Sequence, residues 1–183
     1  MKNQSKSAST VAGAAVIAAM YAALTTAQQL ILPGSASLTV QFRIAEALTL
    51  LCIFMPSAVP GLTVGCFIAN IFCSASVIPV DIASGTLATL LSCLAVRFFG
   101  NIRIKGLPVL SAVMPALFNG VIIGLELEIF YIEGKFELTG FLMQAGCVAL
   151  GELAVCLLAG LPFFKYLEKK KLTDVTGGQA FKR

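Results

Sequence analysis

Residues 47–80 read ALTLLCIFMPSAVPGLTVGCFIANIFCSASVIPV, a run of 34 residues without a charged side chain. About 20 apolar residues suffice for a helix to cross a bilayer, so this run is too long for one ordinary crossing. The segment from Met55 to Gly61 contains two prolines and a glycine, which end helices and favour tight turns. The run therefore predicts two short helices joined by a turn, flanked by Glu46 and Asp81.

The composition of the whole chain is that of a membrane protein. The 183 residues are 58% hydrophobic and 12% charged, whereas a soluble domain carries about 25% charged residues. The apolar run at residues 11–32 is longer than the hydrophobic region of a cleavable signal peptide, which has about 7–15 residues. We therefore predict an all-α membrane protein, a six-transmembrane-helix bundle without a separate soluble domain.

The distribution of basic residues predicts the orientation of this bundle. Residues 1–183 would form one transmembrane domain that ends in a basic cytoplasmic tail at residues 168–183. With six spans, all 13 lysines and arginines except Arg43 and Lys135 fall on one side. The positive-inside rule then places both termini in the cytoplasm, and an odd number of spans would separate the two terminal basic clusters. The predicted spans are residues 11–32, 44–55, 60–73, 81–99, 107–127 and 140–167.

The residue types that are missing exclude several kinds of site. All six cysteines lie in apolar segments, no CxxC pair occurs and histidine is absent, so no metal site is predicted. Without histidine, Ser-His-Asp and Cys-His catalysis are excluded. No phosphate-binding loop is present, so the chain is not expected to hydrolyse ATP by itself. These absences favour a protein that is not an enzyme.

Polar residues inside or beside the apolar spans are the candidate binding residues. A lone carboxylate near the middle of a span, such as Glu152, must be neutral, paired or solvated in a cavity. Arg43 and Glu46 are three residues apart, on one helical face, and can pair. The structural alternatives are an ion pair that closes the bundle, Asp81 as a helix N-cap, asparagines as interhelical hydrogen-bonding groups and phenylalanines as core. The predicted substrate-binding residues are Phe42, Arg43, Glu46, Asn70, Asp81, Phe118, Asn119 and Glu152.

The chemistry of this set suits a ligand rich in N–H donors or one that carries a cation. Carboxylates accept hydrogen bonds from amino and ring N–H groups, and an arginine donates to carbonyl and ring-nitrogen acceptors. A guanine-like heterocycle is compatible with both.

Small residues at a spacing of four predict close helix contacts. Two glycine pairs, Gly61/Gly65 and Gly120/Gly124, are expected to pack within the chain. The first span carries a wider stripe that suits either internal packing or docking onto a second protein. This stripe consists of Ala14, Ala15, Ala18, Ala19, Ala22 and Ala23.

Three ordered segments resemble one family of membrane proteins. Residues 43–51 (RIAEALTLL), 60–70 (PGLTVGCFIAN) and 81–91 (DIASGTLATLL), together with Asn119 and Gly151-Glu152, resemble the QueT family. These are substrate-binding (S) components of energy-coupling factor (ECF) transporters linked to the uptake of queuosine precursors.

The resemblance implies a location, a substrate and partners. It implies a multi-pass protein of the bacterial plasma membrane that captures a deazaguanine-like base from outside, with residues 33–41 as a lid. It further implies a transmembrane coupling protein, docked on the alanine stripe, and two cytoplasmic ATPases that use the ATP. No cofactor bound by this chain and no nucleic-acid partner are expected.

Three alternatives remain open from the residues alone. One is an S component for another vitamin. Another is a stand-alone proton-coupled secondary transporter in which Glu152 or Asp81 carries the proton. The third is a membrane enzyme that works with carboxylates.

Overall fold

Helices make up the regular structure of the chain. The structure is a computed structural model and describes residues 2–35, 41–73, 78–132 and 134–170. Within these ranges there are helices and no strand, which confirms the predicted all-α class. Residues 171–183 of the predicted tail lie outside the described residues. The helices are α1 (Lys2–Ile31), α2 (Ile44–Phe54), α3 (Ala58–Cys73), α4 (Ile78–Phe99), α5 (Val109–Tyr131) and α6 (Leu138–Lys169).

Four of these helices, α1, α4, α5 and α6, are long and apolar enough to cross a membrane, whereas α2 and α3 are shorter. Large apolar side chains cover the outer surface of the bundle. Phe98 and Leu158 are each 79% exposed, and Leu30 is 78% exposed. Such a surface is unfavourable in water and suits lipid. The protein is therefore a membrane protein.

Two helix boundaries differ from the sequence prediction in an informative way. Helix α1 begins at Lys2, because no proline or glycine interrupts the chain before Gly13. Helix α5 continues beyond residue 127 through a wider π turn, Leu127–Tyr131. The extension carries Glu128 inside the helix, whereas the predicted span ended at residue 127.

Close backbone contacts hold neighbouring helices together. A Cβ atom on Gly65 would lie 2.7 Å from the Ala18 carbonyl oxygen, and one on Gly61 would lie 2.7 Å from that of Ala14. Helices α1 and α3 therefore meet along the first glycine pair. The second pair, Gly120 and Gly124, meets α6 in the same way. The predicted internal packing of both glycine pairs is confirmed.

Helix α2 fills the centre of the bundle. Its first part, Ile44–Leu50, is a 3₁₀ helix, and Leu51–Phe54 completes it as one α-helical turn. Nearly all of its side chains are buried, because the long helices surround it. Gln28 of α1 fixes its start: the amide oxygen of Gln28 accepts the Ile44 N–H at 2.9 Å. This hydrogen bond positions the start of α2, at the centre of the bundle, relative to the C-terminal part of α1.

Candidate functional site

A partly open hollow lies at one end of the bundle, where five helices converge. Its empty space, counted together with the part open to the outside, is about 430 Å³. Its walls come from the C-terminal parts of α1, α3 and α5, from the first turn of α4 and from Gln41 and Arg43, which precede α2. The residues that line it are Thr25, Gln41, Arg43, Asn70, Cys73, Asp81, Ile123, Glu126, Leu127 and Tyr131.

Two carboxylates on adjacent helices form the acidic wall of this hollow. The Tyr131 hydroxyl donates a hydrogen bond of 2.6 Å to Asp81 Oδ1. The Ser84 hydroxyl lies 2.5 Å from Glu126 Oε2. Glu126 also interacts electrostatically with Asp81 and with Arg43. The end of α5 is therefore tied to the start of α4 through oriented carboxylates.

Side chains that donate hydrogen bonds also line the hollow. Asn70 donates to the Asp81 carbonyl oxygen at 3.3 Å and to Cys66 Sγ at 3.5 Å. Arg43 Nη1 also points to Cys66 Sγ, at 4.0 Å. A Cβ on Gly85 would collide with the Asn70 amide, so the absence of a side chain there makes room for the polar groups. Arg43 and Asn70 are thus placed with their donors at the rim and base of the hollow.

A fully buried polar cluster lies beneath the hollow. Glu46 Oε1 accepts the Tyr21 hydroxyl at 2.6 Å and the Thr89 hydroxyl at 3.3 Å. Its second oxygen, Oε2, has no hydrogen-bond partner among the described residues. Arg43 interacts electrostatically with Glu46 and so joins this cluster to the hollow.

Glu152 is the second buried carboxylate of this cluster. Its side chain is completely buried, and neither carboxylate oxygen has a hydrogen-bond partner within the described part of the chain. Glu46 and Arg43 act on it electrostatically, and the Asn119 side chain lies near it but outside hydrogen-bonding geometry. A Cβ on Gly151 would collide with the Gln41 carbonyl oxygen, so the chain at Gln41 lies directly over this turn of α6. A buried carboxylate without partners is costly, and a donor brought by a ligand would satisfy it.

The predicted binding residues lie in three parts of the structure: the hollow, the cluster beneath it and positions outside both. Arg43, Asn70 and Asp81 line the hollow, and the cluster beneath it contains Glu46, Asn119 and Glu152. The two phenylalanines lie elsewhere. Phe42 is 45% exposed, and Phe118 packs against the apolar core, so neither ring lines the hollow. Of the predicted lid, residues 36–40 lie outside the described residues.

The alanine stripe of α1 divides into two faces. Ala14 and Ala18 pack on the glycines of α3, as described above, and Ala22 is half-buried. Ala15, Ala19 and Ala23 are exposed. Only the second face presents small side chains to the outside, because the first is taken up by α3.

Seven of the ten lining residues were absent from the predicted set: Thr25, Gln41, Cys73, Ile123, Glu126, Leu127 and Tyr131. The signal that pointed to Glu126 and Tyr131 was the apolar run Ile129–Ile132, which continues the fifth span past its acidic residues. Thr25 and Gln41 carry no signal of this kind, because threonine and glutamine are common at the ends of helices. No group of three or more His, Cys, Asp or Glu side chains that could hold a metal ion occurs among the described residues.

One comparison with known proteins identifies the family. The model of the QueT transporter family matches residues 11–169. This chain belongs to the QueT transporter family. The match includes every residue of the hollow and of the cluster beneath it, and it confirms the resemblance seen in the sequence. No curated protein and no solved structure gives a significant match to this QueT-family chain.

Proposed function

We propose that this QueT-family protein is the substrate-capture component of an ATP-driven ECF importer and binds a queuosine precursor, a deazaguanine base, at the hollow. One observation carries the proposal. Carboxylate, guanidinium and amide groups from separate helices surround one hollow, above buried carboxylate oxygens that lack partners. A transporter-family protein with such a site is suited to bind a small polar ligand.

The charges support an outward-facing hollow. Asp81 lies in the first turn of α4 and Arg97 in its last turn. Sixteen residues of helix separate them by about 24 Å, so the hollow and the basic end of the bundle lie far apart along the helix axes. Arg103 and Lys105 follow α4, at the end that the positive-inside rule assigns to the cytoplasm. In this orientation the chain crosses the membrane six times.

The donor and acceptor pattern supports a guanine-like ligand. Glu152 and Glu46 offer unpartnered oxygens for the amino and ring N–H groups of the base. Arg43 supplies a donor for its carbonyl group. Asn70 and Asn119 complete the hydrogen bonds, and a small movement of the chain at Gln41 would open the way from the hollow to Glu152.

The exposed face of α1 is suited to contact with a partner protein. Ala15, Ala19 and Ala23 leave a flat strip where a helix of the coupling protein can approach closely. Two cytoplasmic ATPases bound to that protein would supply the energy, and the basic end of the bundle would face anionic lipid headgroups.

Replacing Ala19 by leucine is expected to abolish assembly with the coupling protein and to spare ligand binding by the isolated chain. Intact assembly would refute this docking face.

The decisive experiment identifies the ligand. The protein is purified from its native membranes in mild detergent, and the small molecules released on denaturation are identified by mass spectrometry. A deazaguanine base is expected, and titration of the emptied protein with that base should show saturable binding. A different vitamin in the site, or transport by the chain alone driven by a pH gradient, would overturn the proposal.

A further inference from the structure

The connection between α4 and α5 lies at the boundary of the membrane. Helix α4 has 22 residues, which span about 33 Å, close to the hydrocarbon thickness of about 30 Å. Residues 100–108 join it to α5, which begins at Val109. A connection of this length that leaves and returns to the bundle reaches at most about 15 Å outward. It therefore stays in or beside the layer of lipid headgroups.

A tight turn holds Lys105 at the tip of this connection. Ile104 and Leu107 exchange two backbone hydrogen bonds, of 2.8 and 3.1 Å, around Lys105 and Gly106. Both central residues have positive φ, 51° at Lys105 and 80° at Gly106. Such turns favour asparagine or glycine at the first central position, because the Cβ of other side chains is crowded there. Lys105 is thus a strained residue, and strain of this kind indicates a function for the side chain.

The surface around this turn is strongly basic. The Arg103 guanidinium lies over the Phe164 ring, so the turn lies beside the end of α6. Glu168 is the one acidic residue in residues 97–108 and 161–170, and it interacts electrostatically with Arg103. The basic residues of the same two segments are Arg97, Arg103, Lys105, Lys165, Lys169 and Lys170. The excess of positive charge favours an anionic partner.

Apolar side chains beside the basic groups favour a lipid as that partner. Phe98, Ile102 and Ile104 are all exposed. At the boundary of a bilayer such side chains enter the hydrocarbon, while neighbouring lysines keep their charge at the level of the phosphates. The acidic surface of a soluble protein would offer the charge without the hydrocarbon.

We propose that the turn at Lys105 and the adjacent end of α6 form a binding site for anionic phospholipid headgroups of the cytoplasmic leaflet, with Lys105 in contact with a headgroup phosphate. Lysine suits this contact, because its ammonium group presents three N–H donors at the end of a flexible chain. This inference rests on the proposed function only for the orientation of the bundle, and the ligand of the hollow does not enter into it.

The test titrates the full-length protein in detergent with two phospholipids that have the same acyl chains. One is phosphatidylglycerol, which is anionic, and the other is phosphatidylcholine, which has no net charge. Native mass spectrometry, which resolves each bound lipid, is expected to show about tenfold or tighter binding of phosphatidylglycerol.

Lys105→Asn separates a lipid contact from a role in folding. The preference for phosphatidylglycerol should fall by about fivefold, the effect of one basic residue near an anionic surface. The unfolding temperature in detergent should rise, because asparagine is favoured at this position of the turn. A residue that only supported the fold would not combine these two changes.

Two further variants serve as controls. Lys135 is exposed in the connection between α5 and α6, at the hollow end, so Lys135→Asn should keep the lipid preference. Lys105→Arg retains the charge at the turn and should keep it as well.

Four outcomes would overturn this site. Equal affinity of the unmodified protein for both lipids would show that no headgroup is selected. An unchanged preference in Lys105→Asn would remove Lys105 from the contact, and a lower unfolding temperature would assign the lysine to the fold. Weaker assembly of this variant with the coupling protein, at an unchanged lipid preference, would assign the surface to a protein. Failure of the deazaguanine base to bind would instead overturn the proposed function and leave the lipid site standing.

Discussion

The two ends of this bundle differ in whether their polar groups have partners within the chain. At the end away from the hollow, Arg97 donates to the Cys52 carbonyl oxygen at 3.3 Å. The Arg103 guanidinium lies 4.5 Å from the centre of the Phe164 ring, which stacks on Phe54 at 4.9 Å. At the hollow end, oxygens of Glu152 and of the hollow wall are buried without partners in the described residues.

This difference indicates that the polar groups at the closed end find their partners on folding, whereas those at the hollow end find theirs when a ligand binds. An arginine over an aromatic ring or on a carbonyl oxygen is satisfied within the chain. An unpartnered buried oxygen destabilises the folded state, and it is retained where a ligand supplies the missing donor. Substitutions at the two ends should therefore affect stability and binding separately.

The largest effect is expected for Phe164→Ala at the closed end. Phe164 is completely buried, so its removal should lower the free energy of unfolding by about 3–5 kcal/mol. Unfolding in detergent measures the loss, and Phe98→Ala, at a ring that is 79% exposed, is the control. The affinity of the folded fraction for the deazaguanine base should not change. A variant that stays stable but loses binding would contradict the separation of stability and binding between the two ends.

The next effect is expected for Glu152→Gln beneath the hollow. The charge-assisted hydrogen bonds to the base become neutral ones, so affinity should fall by about 10- to 100-fold. The free energy of unfolding should stay the same or rise, because a buried carboxylate without partners is removed. Glu168→Gln, an exposed position on the same helix, is the control. Unchanged affinity would show that Glu152 only braces the helices.

The smallest effect is expected for Tyr131→Phe at the rim of the hollow. This variant loses the hydrogen bond to Asp81 Oδ1 and keeps the ring, so affinity should fall by about 2- to 10-fold. Tyr166→Phe, at a side chain that is 59% exposed, should bind normally. If both variants bind alike, the orientation of Asp81 does not matter to the ligand.

Much of the architecture could be predicted from the sequence. The charge-free run with its prolines gave a turn that the structure places between Phe54 and Ala58. The glycine spacing predicted close packing within the chain, because small residues are needed wherever two backbones meet closely, and the structure shows this packing between α3 and α1. These features are local patterns, and local patterns are visible in one chain.

The site was predicted in part. Arg43, Asn70 and Asp81 were selected because polar residues are rare in apolar segments, and they do line the hollow. Glu126 lay at the end of the predicted fifth span, residues 107–127, and was not selected. The π turn at Leu127–Tyr131 keeps the following stretch helical, and Glu126 just before it accepts a hydrogen bond from Ser84.

The sequence by itself determined the membrane character, the helical class and the family, since these depend on composition, periodicity and ordered motifs. The tertiary structure alone decided which polar groups share one hollow and which alanines remain exposed. Those facts depend on how distant segments pack: Ala18 is buried because Gly65 lies against it, and the chain at Gln41 lies directly over Gly151, next to Glu152.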